Sequence, residues 1–473
     1  MAKKYKEYKK LDLVETDKEI LQFWKENKVF EKSVEQRPMD NSFVFYEGPP
    51  SANGKPGIHH MMGRTVKDTF CRFQTMKGKR VERKAGWDTH GLPIELKVEK
   101  ELGITKEDIG TKISVDDYNK KCRETVMQFT GQWNDLTTRM GYWVDLEDPY
   151  VTYTNDYIES VWHILQLLYK KDLMYKGYTI QPYSPAAGTG LSTHELNQPG
   201  CYKDVKDTSV VAQFKVTKND VSSFLFDNDN ENEDVRIIAW TTTPWTLPSN
   251  TCLAVGKKIT YVKVDTFNPY TFERVSVVLA QDLVSKWFNA ENENGDFEAF
   301  QAEEKKNRKN IPYKVLAKYK GEQLAEVRYE QLMPYLQPKG GDAFKVILGD
   351  FVTTSDGTGI VHCAPTFGAD DKRVADQNGI AALTVTDGNG NPLPLVDKQG
   401  KFVDGMGEFS GRYVKNYKED ENYVDVNVDL AIRLKTDNKA FDVRKYEHNY
   451  PHCWRTDKPI LYYPLDSWFI KAT

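Results

Sequence analysis

The sequence predicts an α/β chain that turns β-rich past residue 205, and three features carry that prediction. An apolar run of strand length ends in Gly48-Pro49-Pro50 and is followed by a glycine-rich loop and an apolar stripe at helical spacing. Two more stripes of helical period fill the chain up to about residue 180. From about residue 205 the apolar residues fall into short runs of strand character separated by charged tracts.

The first run, Phe43-Val44-Phe45-Tyr46, reads as a buried strand entering a turn. After Ile58-His59-His60, the residues Met62, Val66, Phe70 and Phe73 recur at helical spacing until Lys77-Gly78, where glycine suits a helix C-terminus. Ser114-Val115-Asp116-Asp117 has the capping-box pattern and opens a second helix, with Tyr118, Cys122, Val126, Phe129, Trp133, Leu136 and Met140 on one face. Ile158, Val161, Trp162, Leu165, Leu168 and Tyr169 mark a third. Residues 210–214, 236–240, 275–279 and 359–361 read as strands. The tracts 227–234 and 289–310 are too charged to pack and are expected to be surface loops.

Composition narrows the function classes. With 473 residues the chain has room for roughly three domains. Its 39% hydrophobic and 12% aromatic content is that of a globular protein, and no apolar run approaches the roughly 18 residues that cross a bilayer, so no membrane partner is expected. The basic N-terminus is followed by no hydrophobic segment, which argues against a secretory signal and for the cytoplasm. Six scattered cysteines, Cys71, Cys122, Cys201, Cys252, Cys363 and Cys453, include no Cys-x-x-Cys pair and read as buried thiols. The net charge of −4 gives no global sign of nucleic acid. Any such partner must meet local patches such as the basic clusters at 77–84 and 305–309, the second of which reads as a solvated face.

The stretch PPSANGKPGIHH, residues 49–60, lies between the expected first strand and first helix. A loop in that place offers free backbone N–H groups and the positive end of the helix dipole, which together attract phosphate. Glycine lets the backbone approach a base closely, and histidine can donate hydrogen bonds to phosphoryl oxygens. Neither Gly-x-x-x-x-Gly-Lys-Ser/Thr nor Gly-x-Gly-x-x-Gly occurs, so the P-loop and dinucleotide readings fail. The residues alone leave two readings open, a nucleotide site and a structural turn with surface histidines.

Pro49-Pro50-x-Ala52-Asn53-Gly54, followed by Gly86-Trp87-Asp88-Thr89-His90-Gly91-Leu92-Pro93-Ile94-Glu95, resembles the start of the catalytic domain of class I aminoacyl-tRNA synthetases. The second string resembles the isoleucyl members more than the valyl or leucyl ones, and the resemblance runs over essentially the whole chain. It implies the first half of a Rossmann-type catalytic domain with a large β-rich editing domain inserted. The implied boundaries are 1–180 for the N-terminal segment and catalytic first half, 181–204 for a connecting stem, 205–425 for the editing insert and 426–473 for the return stem. The implied activity is that of an isoleucine–tRNA ligase: ATP, as its Mg2+ complex, activates isoleucine, which passes to isoleucine tRNA, and valyl products are hydrolysed. A cytoplasmic monomer is expected. By the same resemblance Pro50, Asn53, Gly54, Gly57, Ile58, His59 and His60 bind ATP, with His59 and His60 catalytic. Gly48 and Pro49 would form the isoleucine wall and Asp88 would pair with its ammonium group, whereas the residues alone leave Asp88 equally a turn residue.

This chain departs from the family at one place. The family carries His-x-Gly-His where this sequence has Gly57-Ile58-His59-His60, so the first histidine and the glycine have exchanged positions. His60 keeps its place, His59 stands where the base needs room, and Gly57 supplies no side-chain donor. The expectation is a re-formed loop in which His59 reaches the phosphates from a new direction, since the surrounding anchors are intact. Inhibitors that fill both the isoleucine and adenylate sites are then expected to bind poorly.

A second site is expected in the insert. One methylene is worth only roughly 1–3 kcal/mol of discrimination, a limit whose standard illustration is isoleucine against valine in this same family. Trp240-Thr241-Thr242-Thr243-Pro244-Trp245-Thr246-Leu247-Pro248-Ser249-Asn250 places three consecutive hydroxyls at the end of an apolar strand, which can hold a ribose or a water but also suits a plain strand edge. Gly357–Pro365, with Asp370-Asp371 after it, supplies a histidine and a carboxylate. The resemblance implies that Thr241, Thr242 and Thr243 position the terminal adenosine and water, that Asp371 holds the substrate ammonium, and that His362 limits side-chain size. It adds Thr246 and Asn250 to the site. Cys363 beside His362 suggests a thiol nucleophile, but neighbours on a strand face opposite ways.

His448-Asn449-Tyr450-Pro451-His452-Cys453 could look like a metal cluster, but the four ligands of a closed zinc site are not assembled, and no zinc is expected. The stretch Gln181-Pro182-Tyr183-Ser184-Pro185 with Leu191–Leu196 resembles the eukaryote-type branch. Neither a Lys-Met-Ser-Lys-Ser loop nor a helical anticodon-binding region occurs by Thr473, which reads as the first part of a longer protein. Two other classes stay open: a hydrolase that clears mischarged tRNA with a decayed synthetic site, and a non-catalytic nucleotide- or RNA-binding module.

Overall fold

A computed structural model describes residues 10–45, 47–226, 233–387, 390–417 and 421–472; Tyr46 of the expected first strand and residues 227–232 of the first charged tract lie outside them. The chain divides into two compact units, Met1–Tyr175 with Ile470–Thr473, and Lys176–Phe469. No helix among the described residues is long and apolar enough to cross a membrane.

The first unit contains α1 (Leu13–Glu26), α2 (Val29–Glu35), α3 (Ile58–Met76), β1 (Lys84–Trp87), α4 (Leu92–Leu102), α5 (Val115–Val126), α6 (Thr130–Arg139), β2 (Asp145–Val151) and α7 (Asn155–Lys170). β1 and β2 pair in parallel, joined through helices. Over residues 43–45, the described part of the expected first strand, no strand forms. Only a single bridge, Ser42 to Arg80, and the bond from Phe43 N–H to Arg80 O mark it, and Val44 is 67% exposed. An apolar run bounded by Pro49-Pro50, which cannot donate to a ladder, finds one neighbour and no second.

Helix α3 forms as its spacing predicts and closes at Lys77-Gly78, with Gly78 left-handed at φ +85°. Yet Met62, Val66, Phe70 and Phe73 are each more than half exposed, and the helix buries Arg64, Cys71 and Thr75 instead. The guanidinium of Arg64 lies 5.0 Å over Trp133 of α6 and 5.6 Å over Tyr142 in the loop after it, so aromatic partners from elsewhere in the chain decide which face turns inward. The apolar face of α7 is similarly not buried. The second expected helix is broken in two: Ser114 caps α5 by accepting from Asp117 N–H at 3.0 Å, but between α5 and α6 the Phe129 N–H turns to the carbonyl of Ala52 (3.1 Å). The break is where the glycine-rich loop docks.

The second unit is built from β3 (Met174–Ser184), β4 (Thr189–Gly190), β5 (Tyr202–Lys215), β6 (Val235–Thr241), β7 (Cys252–Val255), β8 (Thr260–Phe267), β9 (Arg274–Ala280), β10 (Lys314–Lys320), β11 (Lys345–Leu348), β12 (Ile360–Cys363), β13 (Val385–Thr386), β14 (Pro392–Leu393), β15 (Ala440–Pro451) and β16 (Leu461–Ile470). A six-stranded sheet runs β10-β8-β9-β6-β5-β15, and smaller sheets run β11-β7-β12 and β16-β3-β4. The expected strands lie within β5, β6 and β9 and overlap β12. In β6, Ile237 and Ala239 pack into the main core while Ile238 joins a cluster on the other face with Val211, Val262 and Phe441. A strand buried on both faces explains the unbroken run Ile237-Ile238-Ala239.

The tract 289–310 is not a bare loop. Asp296 caps a short helix, Phe297–Ala302, and Phe300 is buried with its ring 4.8 Å from Phe267. Two phenylalanines outweigh the surrounding charge. Glu233, at the described end of the other tract, pairs with the buried Lys263. All six cysteines are free; five are buried and Cys122 is half-buried. In the basic cluster at 77–84, Arg80 pairs with Glu82, Arg83 with Asp68 and Lys84 with Asp148, so Lys77 and Lys79 are its remaining cations.

Two glycines test the packing in opposite directions. A Cβ on Gly321 would sit 2.1 Å from the carbonyl oxygen of Gly256, so Gly321→Ala is expected to destabilise the second unit by about 1–3 kcal/mol in denaturant unfolding. Gly63, inside α3 with nothing within 4 Å of its added Cβ, should instead gain up to about 1 kcal/mol on conversion to Ala.

Candidate functional site

The end of β6 and the tight turn after it bring the threonines together. Pro244–Ser249 winds as a short 3-10 helix, held by Trp245 N–H donating to Asn427 Oδ1 at 3.0 Å and by the Trp245 ring standing edge-on to Phe367 at 4.9 Å. β12 pairs antiparallel with β7, placing His362 opposite Leu253 and Cys363 opposite Cys252. The helix Ala369–Gln377 follows, with Asp371 in its first turn. These pieces enclose a cavity of about 290 Å³ lined by Thr241, Thr242, Thr243, Thr246, His362 and Asp371. Asn250 is not on the wall; it lies buried behind His362. Cys363 faces away into an apolar cluster with Cys252 and Ile347, which removes the thiol from the cavity.

Trp240, Val361, Ala364 and Phe367 complete the wall, and the sequence reading missed them. Alternation along β6 and β12 assigns Trp240 and Val361 to the face opposite Thr241 and His362, so strand periodicity alone could not mark them as part of the wall. Phe367 had no periodic signal at all.

Asp371 dominates the electrostatics. Its Oδ2 accepts from the Ala364 N–H at 2.9 Å, and a Cβ on Gly368 would come within 2.6 Å of the carboxyl group, so a larger residue there would displace the carboxylate. Burial pushes its pKa up to about 6; the Ala364 hydrogen bond opposes the shift and the charge of Asp370 adds to it. No cationic side chain among the described residues pairs with it. Burial also holds His362 down to about 4, a neutral imidazole at working pH. Thr246 Oγ1 lies 2.9 Å from His362 Nε2 and donates its own proton to Thr243 O at 2.8 Å. Thr241 Oγ1 accepts from Thr243 N–H at 3.1 Å. The cavity thus presents a half-buried carboxylate with no cationic partner among the described residues, on the same wall as a row of hydroxyls, a place for a cation beside a polar group or water.

In the first unit the glycine-rich loop is clamped at three carbonyls. Ala52 O accepts from Phe129 N–H, Asn53 O from Lys97 Nζ at 3.0 Å, and Gly54 O from Trp133 Nε1 at 2.9 Å. Gly57 is the N-cap of α3, and its N–H donates to His60 Nδ1 at 2.9 Å. That bond leaves the ring proton of His60 on Nε2, free to donate outward. Burial lowers the His60 pKa, with His59 and Arg64 adding to the effect. The His60 ring stands edge-on to Trp133 at 4.7 Å. The His59 ring lies 3.8 Å from that of His60 and folds back over residue 57, where a Cβ would come 2.9 Å from its Cε1. Glycine at 57 and histidine at 59 are therefore one coupled choice. Ile58 is 78% exposed.

Asp88 leaves the end of β1, and its N–H donates to Pro50 O at 3.0 Å, which joins Gly48 and Pro49 to the same corner. His90 is held by Thr152 Oγ1 at 3.0 Å. Tyr150, which no sequence signal flagged, donates to Glu47 O at 3.0 Å, and its ring fills the space a Cβ on Gly86 would take, 2.3 Å away. Trp133 is likewise central here, although on the sequence it is one apolar residue in a helical stripe. Among the described residues no group of three or more His, Cys, Asp or Glu could hold a metal ion. Trp468 is 56% exposed on β16.

The family model for class I tRNA synthetases (I, L, M and V) matches residues 19–473. An isoleucine–tRNA ligase of Cytophaga hutchinsonii is 60% identical over 99% of this chain and 42% of its own length; one of Porphyromonas gingivalis is 56% identical over 100% and 42%. The chain thus spans about two fifths of the length of these relatives. A solved structure of the P. knowlesi cytosolic leucyl-tRNA synthetase editing domain overlaps 51% of this chain and 97% of that one, at 12% identity and a TM-score of 0.32, too slight a likeness to carry an argument.

The burial of Asp371 makes a prediction whose sign follows from linkage. Its folded value of about 6 stands above the ordinary 3.8, so the folded protein binds this proton more tightly than the unfolded chain does. The stability it contributes is fully present below pH 3.8 and is lost as pH rises through 6. Asp371→Asn removes that loss. Denaturant unfolding above pH 7 is expected to show the variant more stable by on the order of 2 kcal/mol, a gap that closes toward pH 4. A gap independent of pH would mean the carboxylate is solvated.

Proposed function

Since the chain belongs to the class I tRNA synthetases (I, L, M and V), we propose that it is the portion of an isoleucine–tRNA ligase that carries the first half of the synthetic site and the whole of a hydrolytic editing site. The observation that carries the editing half is that the half-buried carboxylate of Asp371, with no cation paired to it among the described residues, lines one cavity with the threonine hydroxyls. The α-ammonium of a mischarged valyl group supplies the missing cation. With that group held, the ester carbonyl lies toward Thr241, Thr242 and Thr243, whose hydroxyls hold the terminal ribose and a water. Water adds to the carbonyl carbon, the bond to the ribose oxygen breaks, and valine and the free tRNA hydroxyl leave. His362 is a wall in this reaction, because a ring near pKa 4 with both nitrogens engaged is a poor general base. In this reading residues 205–425 form the editing insert and 181–204 and 426–473 its stems.

For synthesis, ATP with Mg2+ is the substrate of the loop at the start of α3. Gly54 and Gly57 allow close approach of the nucleotide, and the Nε2–H of His60 donates to a phosphoryl oxygen. His59, folded over Gly57, brings its imidazole back to the position where the family pattern has its first histidine. Asp88 pairs with the ammonium of isoleucine beside Gly48 and Pro49. Isoleucine tRNA is the common partner of both sites.

Two measurements test these halves. The chain is expected to hydrolyse valyl ester faster than isoleucyl ester, both on isoleucine tRNA, and Asp371→Ala is expected to lose at least tenfold or to lose the preference. Equal, Asp371-independent rates would remove the editing reading. For the synthetic half, the full-length protein should catalyse isoleucine-dependent pyrophosphate exchange and lose it on His60→Ala; a wild type no faster than that variant would favour the hydrolase-only reading.

A further inference from the structure

We propose that Arg64 serves the nucleotide site of the first unit: its buried guanidinium, which has no carboxylate partner, supplies a fixed positive charge behind the glycine-rich loop and the His60 ring. The inference rests on the reading of that loop as the ATP site given above. Arg64 is a positioning residue, set behind the site rather than in it.

The charge is buried and uncompensated. Arg64 is 9% exposed, yet among the described residues no carboxylate stands within ion-pair distance of it. Its Nη1 donates to Thr137 Oγ1, and the flat group lies over the rings of Trp133 and Tyr142. Glu47 is the carboxylate whose field reaches it, but the two oxygens of Glu47 are taken by Lys67 Nζ and by the Tyr142 hydroxyl. The next carboxylate, Asp68, is shared by Arg72 and Arg83. Four cations, Arg64, Lys67, Arg72 and Arg83, thus meet two carboxylates around α3, and the balance is positive.

The charge is also in the right place. Arg64 follows His60 by four residues, about 6 Å of axial rise, on one side of α3. Trp133 joins them: its Nε1 donates to Gly54 O at 2.9 Å, His60 stands edge-on to its ring at 4.7 Å, and Arg64 lies over it at 5.0 Å. One indole therefore touches the loop, the histidine and the guanidinium. The field of Arg64 is felt at His60, where it adds to burial and to His59 in disfavouring a proton. A charge that disfavours a proton at that point favours a phosphate there.

Burying an arginine without an acid costs stability, and an apolar side chain of similar volume would fill the same space at lower cost. The guanidinium stays charged at any working pH. A triphosphate at the N-terminus of α3, where the helix dipole has the same sign, offsets that cost when it binds.

The test uses the full-length protein with Arg64→Met, which fills the space without charge, and Arg64→Lys, which keeps the charge without the flat stacking. Equilibrium binding is measured with ATP and Mg2+, with inorganic pyrophosphate, and with isoleucine, a zwitterion of no net charge. Arg64→Met is expected to bind ATP and pyrophosphate about tenfold more weakly, the scale of one unit charge acting over roughly 10 Å at a protein-like dielectric, and to bind isoleucine as wild type does. Arg64→Lys should hold all three within about twofold of wild type. Equal losses in the two variants, or isoleucine affinity falling in step with ATP, would make Arg64 a packing residue and overturn the proposal. So would an Arg64→Met variant that binds ATP and pyrophosphate as wild type does. A wild type that binds neither anion overturns the nucleotide reading itself, and the proposal falls with it.

Discussion

The antiparallel pairing of β5 with β15, in register from Asp442 opposite Val211 to Pro451 opposite Tyr202 and shifted by a bulge before Ala440 opposite Ala212, is the constraint on which the second unit depends. It joins segments more than two hundred residues apart. Closing so long a loop costs little more entropy than closing one of half the length, because the cost grows only with the logarithm of length. Once closed, the ladder gives β6 a fixed neighbour, and β6 delivers Thr241 to the edge of the cavity. It also brings the two ends of the intervening chain side by side, the geometry that lets a compact domain sit within another fold.

Polar burial is the second theme, and the unit treats its buried groups in two ways. Tyr329, Asn250, His362 and Thr246 satisfy one another in a chain that needs no ligand. Asp371 is left with a backbone donor and no cation. A folded protein rarely keeps such a group without a use for it, because an unpaired carboxylate costs stability at neutral pH. The satisfied chain fills the wall, while the Asp371 carboxylate stays open to a cation. The glycine-rich loop of the first unit follows the same division, with the carbonyls of Ala52, Asn53 and Gly54 engaged by Phe129, Lys97 and Trp133 and the His60 Nε2–H turned outward.

Much of this was legible from residue pattern. The helices at 58–76 and 115–139 and the strands of the six-stranded sheet follow from spacing and capping, since these are local properties of the chain. Thr241, Thr242, Thr243, His362 and Asp371 were chosen from two motifs 120 residues apart and do meet in one cavity. What pattern could not show was which side of a helix is buried. The stripe Met62, Val66, Phe70, Phe73 marks a helix correctly, but Trp133 and Tyr142, from elsewhere in the chain, draw Arg64 inward instead. Charge density misread residues 289–310 for a similar reason: Phe300 finds Phe267, and one well-packed ring outweighs several solvated charges.

By itself the sequence determined most of the element types, the β-rich character of the second half, the family, and the residue types available for chemistry, because each is written in neighbours a few positions apart. Only the tertiary structure decided their states. Whether Asp371 is an ordinary surface carboxylate or a half-buried one near pKa 6 depends on what covers it, and the cover comes from β6, β12 and the loop at Ala364. Whether Gly57 is a loose turn or the floor beneath an imidazole depends on the rotamer of His59. Desolvation and hydrogen-bond direction arise from contacts distant in the chain, and no local pattern encodes them.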